Sequence, residues 1–197
     1  MIKVILFDVG GVYLEGSFVS FVNKSRKILR INKEFYSDKA VVFDKRLNEG
    51  KISAEKCFKQ YFQTPIPEDQ MKKIIKIWTR TWKLSDEMKQ LVLKLEKNYR
   101  LAVLSNSDLL NSQNYTKKGW YKCFETLILS HEWGVLKPQR KIYKITINKL
   151  KVKANECLFI DDQEDCLKPA RKMNMNTILF KSIKQLKRDL RKIHINF

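Results

Sequence analysis

Residues 2–11 read Ile2-Lys3-Val4-Ile5-Leu6-Phe7-Asp8-Val9-Gly10-Gly11. The apolar, partly β-branched run up to Phe7 has the composition of a strand buried on both faces. It ends on one acid, Asp8, and the Gly10-Gly11 pair breaks it as a tight loop does. The same pattern recurs four times downstream. Leu101–Leu104 ends at Ser105-Asn106, Thr126–Leu129 at Ser130, and Cys157–Ile160 at Asp161-Asp162; Asn176–Phe180 is the last. Helical spacing fills the intervals: 139–150 with Tyr143, Ile147 and Leu150, then roughly 163–173. A C-terminal helix carries Ile183, Leu186, Leu190 and Ile193. Strands alternating with helices predict an α/β fold, a three-layer Rossmann-like parallel sheet covered on both faces.

The first strand is followed by an insertion of about 80 residues, far longer than an ordinary connection. It reads as helical. Ser53 and Ser85 are placed to cap helices, and Met71, Ile74, Ile75, Trp78 and Trp82 form an amphipathic stripe. We expect a small α-helical cap at 15–98 on a core made of 1–14 and 99–197. Phe18, Phe21, Tyr13, Trp78 and Trp82 are candidates for a pocket, although aromatics at helical spacing more often pack in a core.

The chain has 197 residues, with 40 Lys+Arg against 21 Asp+Glu and a formal charge of +19. Its hydrophobic fraction of 44% excludes a disordered basic tail. A chain of this size buries roughly 70% of its unfolded surface and needs no disulfide or metal staple. The cysteines, Cys57, Cys123, Cys157 and Cys166, have no zinc spacing and are expected as reduced, packed thiols. No apolar run approaches a membrane span of about 20 residues, and the N-terminus lacks the form of a signal peptide. The expectation is a cytoplasmic protein. Basic residues alternate with apolar ones throughout, as solvated helix faces do. Nucleic acid is therefore expected only as a nonspecific electrostatic partner.

In an open parallel sheet, ligands bind beyond the C-terminal strand ends. Here those ends carry Asp8, Ser105-Asn106 and Asp161-Asp162. Crowded carboxylates call for a cation, and hard oxygen ligands suit Mg²⁺. A hydroxyl with loop N–H groups suits a phosphate oxygen. Lys137, in Gly134-Val135-Leu136-Lys137-Pro138, can neutralise the remaining charge. Such a set supports metal-assisted phosphoryl transfer through a carboxylate nucleophile.

Four segments in order carry a family resemblance: Phe7-Asp8-Val9-Gly10-Gly11-Val12, Val103-Leu104-Ser105-Asn106, Ser130–Pro138, and Phe159-Ile160-Asp161-Asp162-Gln163. Together they resemble the haloacid dehalogenase-like hydrolase superfamily, in the subfamily with a helical cap after the first motif. The resemblance implies Asp8 as nucleophile and Mg²⁺ ligand, with the Gly10 carbonyl and Asp162 as further ligands. Asp161 would ligate or stand behind them. Ser105, Asn106, Lys137 and the Gly10-Gly11 loop would hold phosphate, and Lys137 would stabilise the transition state. The implied activity is a phosphatase of small phosphate esters.

Gly10 departs from the pattern. Phosphatases of the superfamily usually carry there a second Asp, the general acid–base worth about 10²–10⁴-fold. Glu15 is a possible substitute. The departure keeps open a catalytically weak phosphate-binding or regulatory protein, and the charge keeps open a polyanion binder. Two smaller departures are Asn174, where a left-handed residue is expected, and Pro169, expected to bend or shorten its helix.

Overall fold

The computed structural model describes residues 1–31 and 45–197. Five parallel strands form one sheet in the order β3-β2-β1-β4-β5. They are β1 (Val4–Phe7), β2 (Arg100–Ser105), β3 (Thr126–Leu129), β4 (Cys157–Asp161) and β5 (Asn176–Leu179). The α/β class and all the expected strands are present. The chain builds β2 and β3 on one side of β1, then returns to build β4 and β5 on the other. That reversal opens a crevice at the C-terminal end of β1. Phe7 is level with Val103 on β2 and with Ile160 on β4. One residue further along, Asp8 and Asp161 therefore leave neighbouring strands side by side.

Alternation along each strand divides the core into two layers. Ile5, Phe7, Leu101, Val103, Leu158 and Ile160 face one cluster, which also contains Leu91 and Leu95 of helix Asp86–Glu96 and Leu186 and Leu190 of helix Ile183–Lys192. Val4, Leu6, Ala102, Leu104 and Phe159 face the other, against Tyr143 of helix Arg140–Leu150 and Leu167 of helix Glu164–Lys172. Ser182 caps the last helix in a reciprocal box with Gln185. Asn174 adopts φ 64°, the left-handed conformation expected of it. Pro169 does not end its helix, which runs on to Lys172. The Tyr143 hydroxyl donates to the Cys166 carbonyl of that helix at 2.6 Å.

The insertion has its own core. Phe21, Phe58, Tyr61, Phe62, Met71, Ile74 and Trp78 pack together, drawn from helices Phe18–Leu29, Ala54–Phe62 and Glu68–Trp78. Ser53 caps the second of these, accepting from the Lys56 N–H at 3.2 Å. Part of the expected cap, 32–44, lies outside the described residues. Another part behaves as core: Met88, Leu91, Val92 and Leu95 pack with the strands, joined by Trp82 and Leu84. Helix Asp86–Glu96 leads directly into β2, so it serves as the crossover that covers the sheet. We propose that the cap ends at Trp78 rather than at 98. Its two connections to the core pair with each other, since Glu15 and Lys83 exchange backbone hydrogen bonds of 2.8 and 2.9 Å.

This division is testable. Leu95, with no exposed surface, should cost about 2–5 kcal/mol when changed to Ala, by cavity formation beneath the sheet. Urea unfolding followed by circular dichroism measures it. A loss confined to the cap would leave the main transition unmoved.

Candidate active site

Each expected residue lies at the C-terminal edge of the sheet. Asp8 follows β1, Ser105 ends β2, Asp161 ends β4, and Lys137 arrives from the loop after helix Ser130–Trp133. Asp8, Ser105, Lys137 and Asp161 are all buried, at 6, 3, 5 and 0% exposure.

Lys137 is the hub. Its Nζ lies 2.8 Å from Asp8 Oδ1 and 2.6 Å from Asp161 Oδ2. Burial opposes the ammonium charge, but Asp8 and Asp161 outweigh it and hold the lysine pKa well above its ordinary value. The other Asp161 oxygen, Oδ1, accepts the Gln163 N–H at 2.8 Å. Burial still raises the Asp161 pKa. The Asp162 pKa is raised as well, by burial and then by the Asp161 charge.

Asn106 does something the sequence did not reveal. Its side chain clasps the Lys137 backbone, accepting from the Lys137 N–H at 2.8 Å and donating to the Lys137 carbonyl at 3.0 Å. The second and third motifs are thereby locked together. The Ser105 hydroxyl makes only a 3.5 Å approach to the Asn106 carbonyl, which leaves it available to a ligand.

Asp8, Asp161 and Asp162 offer carboxylate oxygens within 4.8 Å of one another, close enough to share a metal ion. This oxygen set suits a hard divalent cation. The glycine pair shapes the approach. Gly11 has φ +87°, and a Cβ there would collide with the Asp162 carboxylate. The turn is closed by Gly11 N–H to Leu14 O at 2.9 Å and Leu14 N–H to Val9 O at 2.7 Å. Neither bond uses the Gly10 carbonyl.

A cavity of about 360 Å³ opens over these groups, lined by Asp8, Gly10, Ser105, Asn106 and Lys137 and roofed by Phe18, Trp78 and Trp82. Three of the candidate aromatics thus line it. Tyr13 and Phe21 instead pack in the two cores. A Cβ at Gly10 would lie 3.2 Å from Trp82 Cη2, so the indole occupies the space beside the missing second acid. Glu15 is exposed on the paired linkers and does not line the cavity. Sequence reasoning missed Asp108 and Asn111, which also line it. Asp108 caps helix Leu109–Lys117 and accepts from the cap residue Trp78 through Nε1 at 3.2 Å. The Ser-Asn-Ser-Asp run after β2 was the available signal, since Asp before a helix is a common cap.

The family profile described as haloacid dehalogenase-like hydrolase matches residues 2–174. The chain belongs to the haloacid dehalogenase-like hydrolases. It is 26% identical over 193 residues to D-ribitol-5-phosphate phosphatase of Bacteroides thetaiotaomicron, covering 90% of this chain and 91% of that one. Over 103 residues it is 35% identical to bifunctional epoxide hydrolase 2 of Rattus norvegicus, which is 50% of this chain but only 19% of that protein. A HAD family enzyme of B. thetaiotaomicron, solved in complex with magnesium and inorganic phosphate, shares the fold. It has a TM-score of 0.76 at 23% identity, with 92% of this chain and 95% of that one covered. No described helix is long and apolar enough to cross a membrane.

Removing the lysine charge should strand two buried carboxylates. Lys137→Met is expected to lose about 3–5 kcal/mol at neutral pH. Without the cation, the folded-state pKa of Asp161 rises further above its unfolded value. The folded variant then binds protons more readily, and its stability deficit shrinks as pH falls. Urea midpoints of both proteins between neutral and acid pH check this; a constant deficit would contradict it.

Proposed function

We propose that this hydrolase is a Mg²⁺-dependent phosphatase of small phosphate esters, acting through an aspartyl-phosphate on Asp8. One observation carries the reading. The Asp8 carboxylate is held against a buried ammonium at 2.8 Å, in a cavity whose wall also presents Ser105 and Asn106. The phosphatase relative and the magnesium–phosphate complex of the related fold support it.

The residues divide the work as follows. Asp8 and Asp162, with the Gly10 carbonyl, would hold Mg²⁺, which supplies charge neutralisation for the phosphoryl group. Asp161 positions Lys137. Lys137, the Ser105 hydroxyl and the Asn106 backbone N–H bind the phosphoryl oxygens, and the Gly10-Gly11 loop borders them. An Asp8 carboxylate oxygen attacks phosphorus, and the bond from phosphorus to the ester oxygen breaks. The leaving alcohol oxygen keeps that electron pair and takes a proton from solvent. Water then attacks the phosphorus of aspartyl-phosphate, which regenerates the Asp8 carboxylate, releases inorganic phosphate and returns a proton to solvent. Lys137 stays charged throughout and is preorganised for the negative charge that develops.

Gly10, with Trp82 beside it, favours a second reading: a phosphate-binding protein with weak turnover. The two readings part on one assay. With p-nitrophenyl phosphate and Mg²⁺, the phosphatase reading expects hydrolysis that Asp8→Asn abolishes. EDTA should abolish it too, and added Mg²⁺ should restore it. Turnover that survives Asp8→Asn contradicts the nucleophile. Phosphate binding without turnover in the wild type would establish the second reading.

A further inference from the structure

The cavity wall beyond the phosphate site carries chemistry that phosphoryl transfer does not use. Asp108 Oδ1 accepts the Asn111 backbone N–H at 3.0 Å. Its Oδ2 accepts Asn111 Nδ2 at 2.9 Å and Trp78 Nε1 at 3.2 Å. A carboxylate offers about four lone-pair positions, so one remains. The Asn111 Oδ1 acceptor is buried and has no partner, and Asn111 as a whole is only 4% exposed. A buried acceptor without a donor is costly and points to a group that supplies one. Both residues line the cavity that contains Asp8.

The charge balance of the wall narrows that group. Among the described residues lining the cavity, Lys137 is the one cation, and Asp8 and Asp161 already engage it. A second phosphate or a carboxylate on the substrate would meet no counter-charge, and Asp108 would repel it. Phe18, Trp78 and Trp82 supply flat apolar faces around the acceptors. Flat apolar walls with a few convergent acceptors fit a small molecule that has C–H faces and hydroxyl edges.

Resting on the phosphatase reading, we infer that the leaving group is a neutral, polyhydroxylated alcohol, one of whose hydroxyls donates to the Asp108–Asn111 pair. These two residues then determine specificity, and Asp108 also ties the cap, through Trp78, to the wall that reads the substrate.

The test compares matched esters. Erythritol 4-phosphate and n-butyl phosphate share a carbon chain but differ in hydroxyls; 4-phosphoerythronate adds a carboxylate. The expected kcat/KM for erythritol 4-phosphate exceeds that for n-butyl phosphate by at least about tenfold, the kind of discrimination a hydroxyl-binding site gives. It also exceeds that for 4-phosphoerythronate. In Asn111→Leu the first ratio falls toward one, with folding checked by circular dichroism. The wild-type ratios stand by themselves if that variant fails to fold. A wild-type ratio near one, or a preference for the carboxylate, overturns the inference. Brisk p-nitrophenyl phosphate hydrolysis alongside such ratios would overturn it alone. No hydrolysis of any of these esters would remove the phosphatase reading and this inference together.

Discussion

The site depends on one buried ammonium held between two buried carboxylates. Lys137 bridges Asp8, at the end of β1, and Asp161, at the end of β4. Neither acid could be kept ionised in so buried a place without it, and the lysine could not be kept charged without them. The sheet sets the distance, because the register that aligns Phe7 with Ile160 brings the two acids out side by side. Asn106 then fixes the lysine backbone from the neighbouring β2 edge. Strand order, register and loop bonding thus converge on a single nitrogen.

Around that centre the charge runs opposite to the chain as a whole. The protein is formally +19, yet the metal-type cluster consists of Asp8, Asp161 and Asp162. The positive excess therefore lies away from the site. Its field attracts small anions such as phosphate esters toward an acidic rim that would need a divalent cation to receive them, and salt screens that attraction. The cap completes the enclosure. Its aromatic core is separate from the two layers on the sheet, yet Trp78 reaches across to Asp108.

The strands were legible because each apolar run stops on a polar residue, and that pattern survives any reasonable placement of the helices. The positions of Asp8, Ser105, Lys137 and Asp161 followed from it. Helix Asp86–Glu96 was harder to assign. Its apolar stripe shows that one face is buried but not whether the sheet or the cap buries it, and only tertiary packing decides. Asn106 illustrates a second limit. A strand-end position suggests a phosphate contact, but a side chain's partner across 31 residues leaves no local pattern. Asp108 and Asn111 were illegible for a related reason: their signature is that of an ordinary helix cap. The filling of the space beside Gly10 by Trp82 depends on the closure of a long insertion, which no local spacing encodes.

The central claim is that the carboxylate held by Lys137 becomes covalently bonded to phosphorus. Acid quenching during turnover, borohydride reduction of any acyl-phosphate and peptide mass spectrometry test it most directly. The account predicts homoserine at position 8 and nowhere else. Recovery of unmodified Asp8 from an enzyme that is turning over, or reduction at Asp161, Asp162 or Asp108, would contradict it.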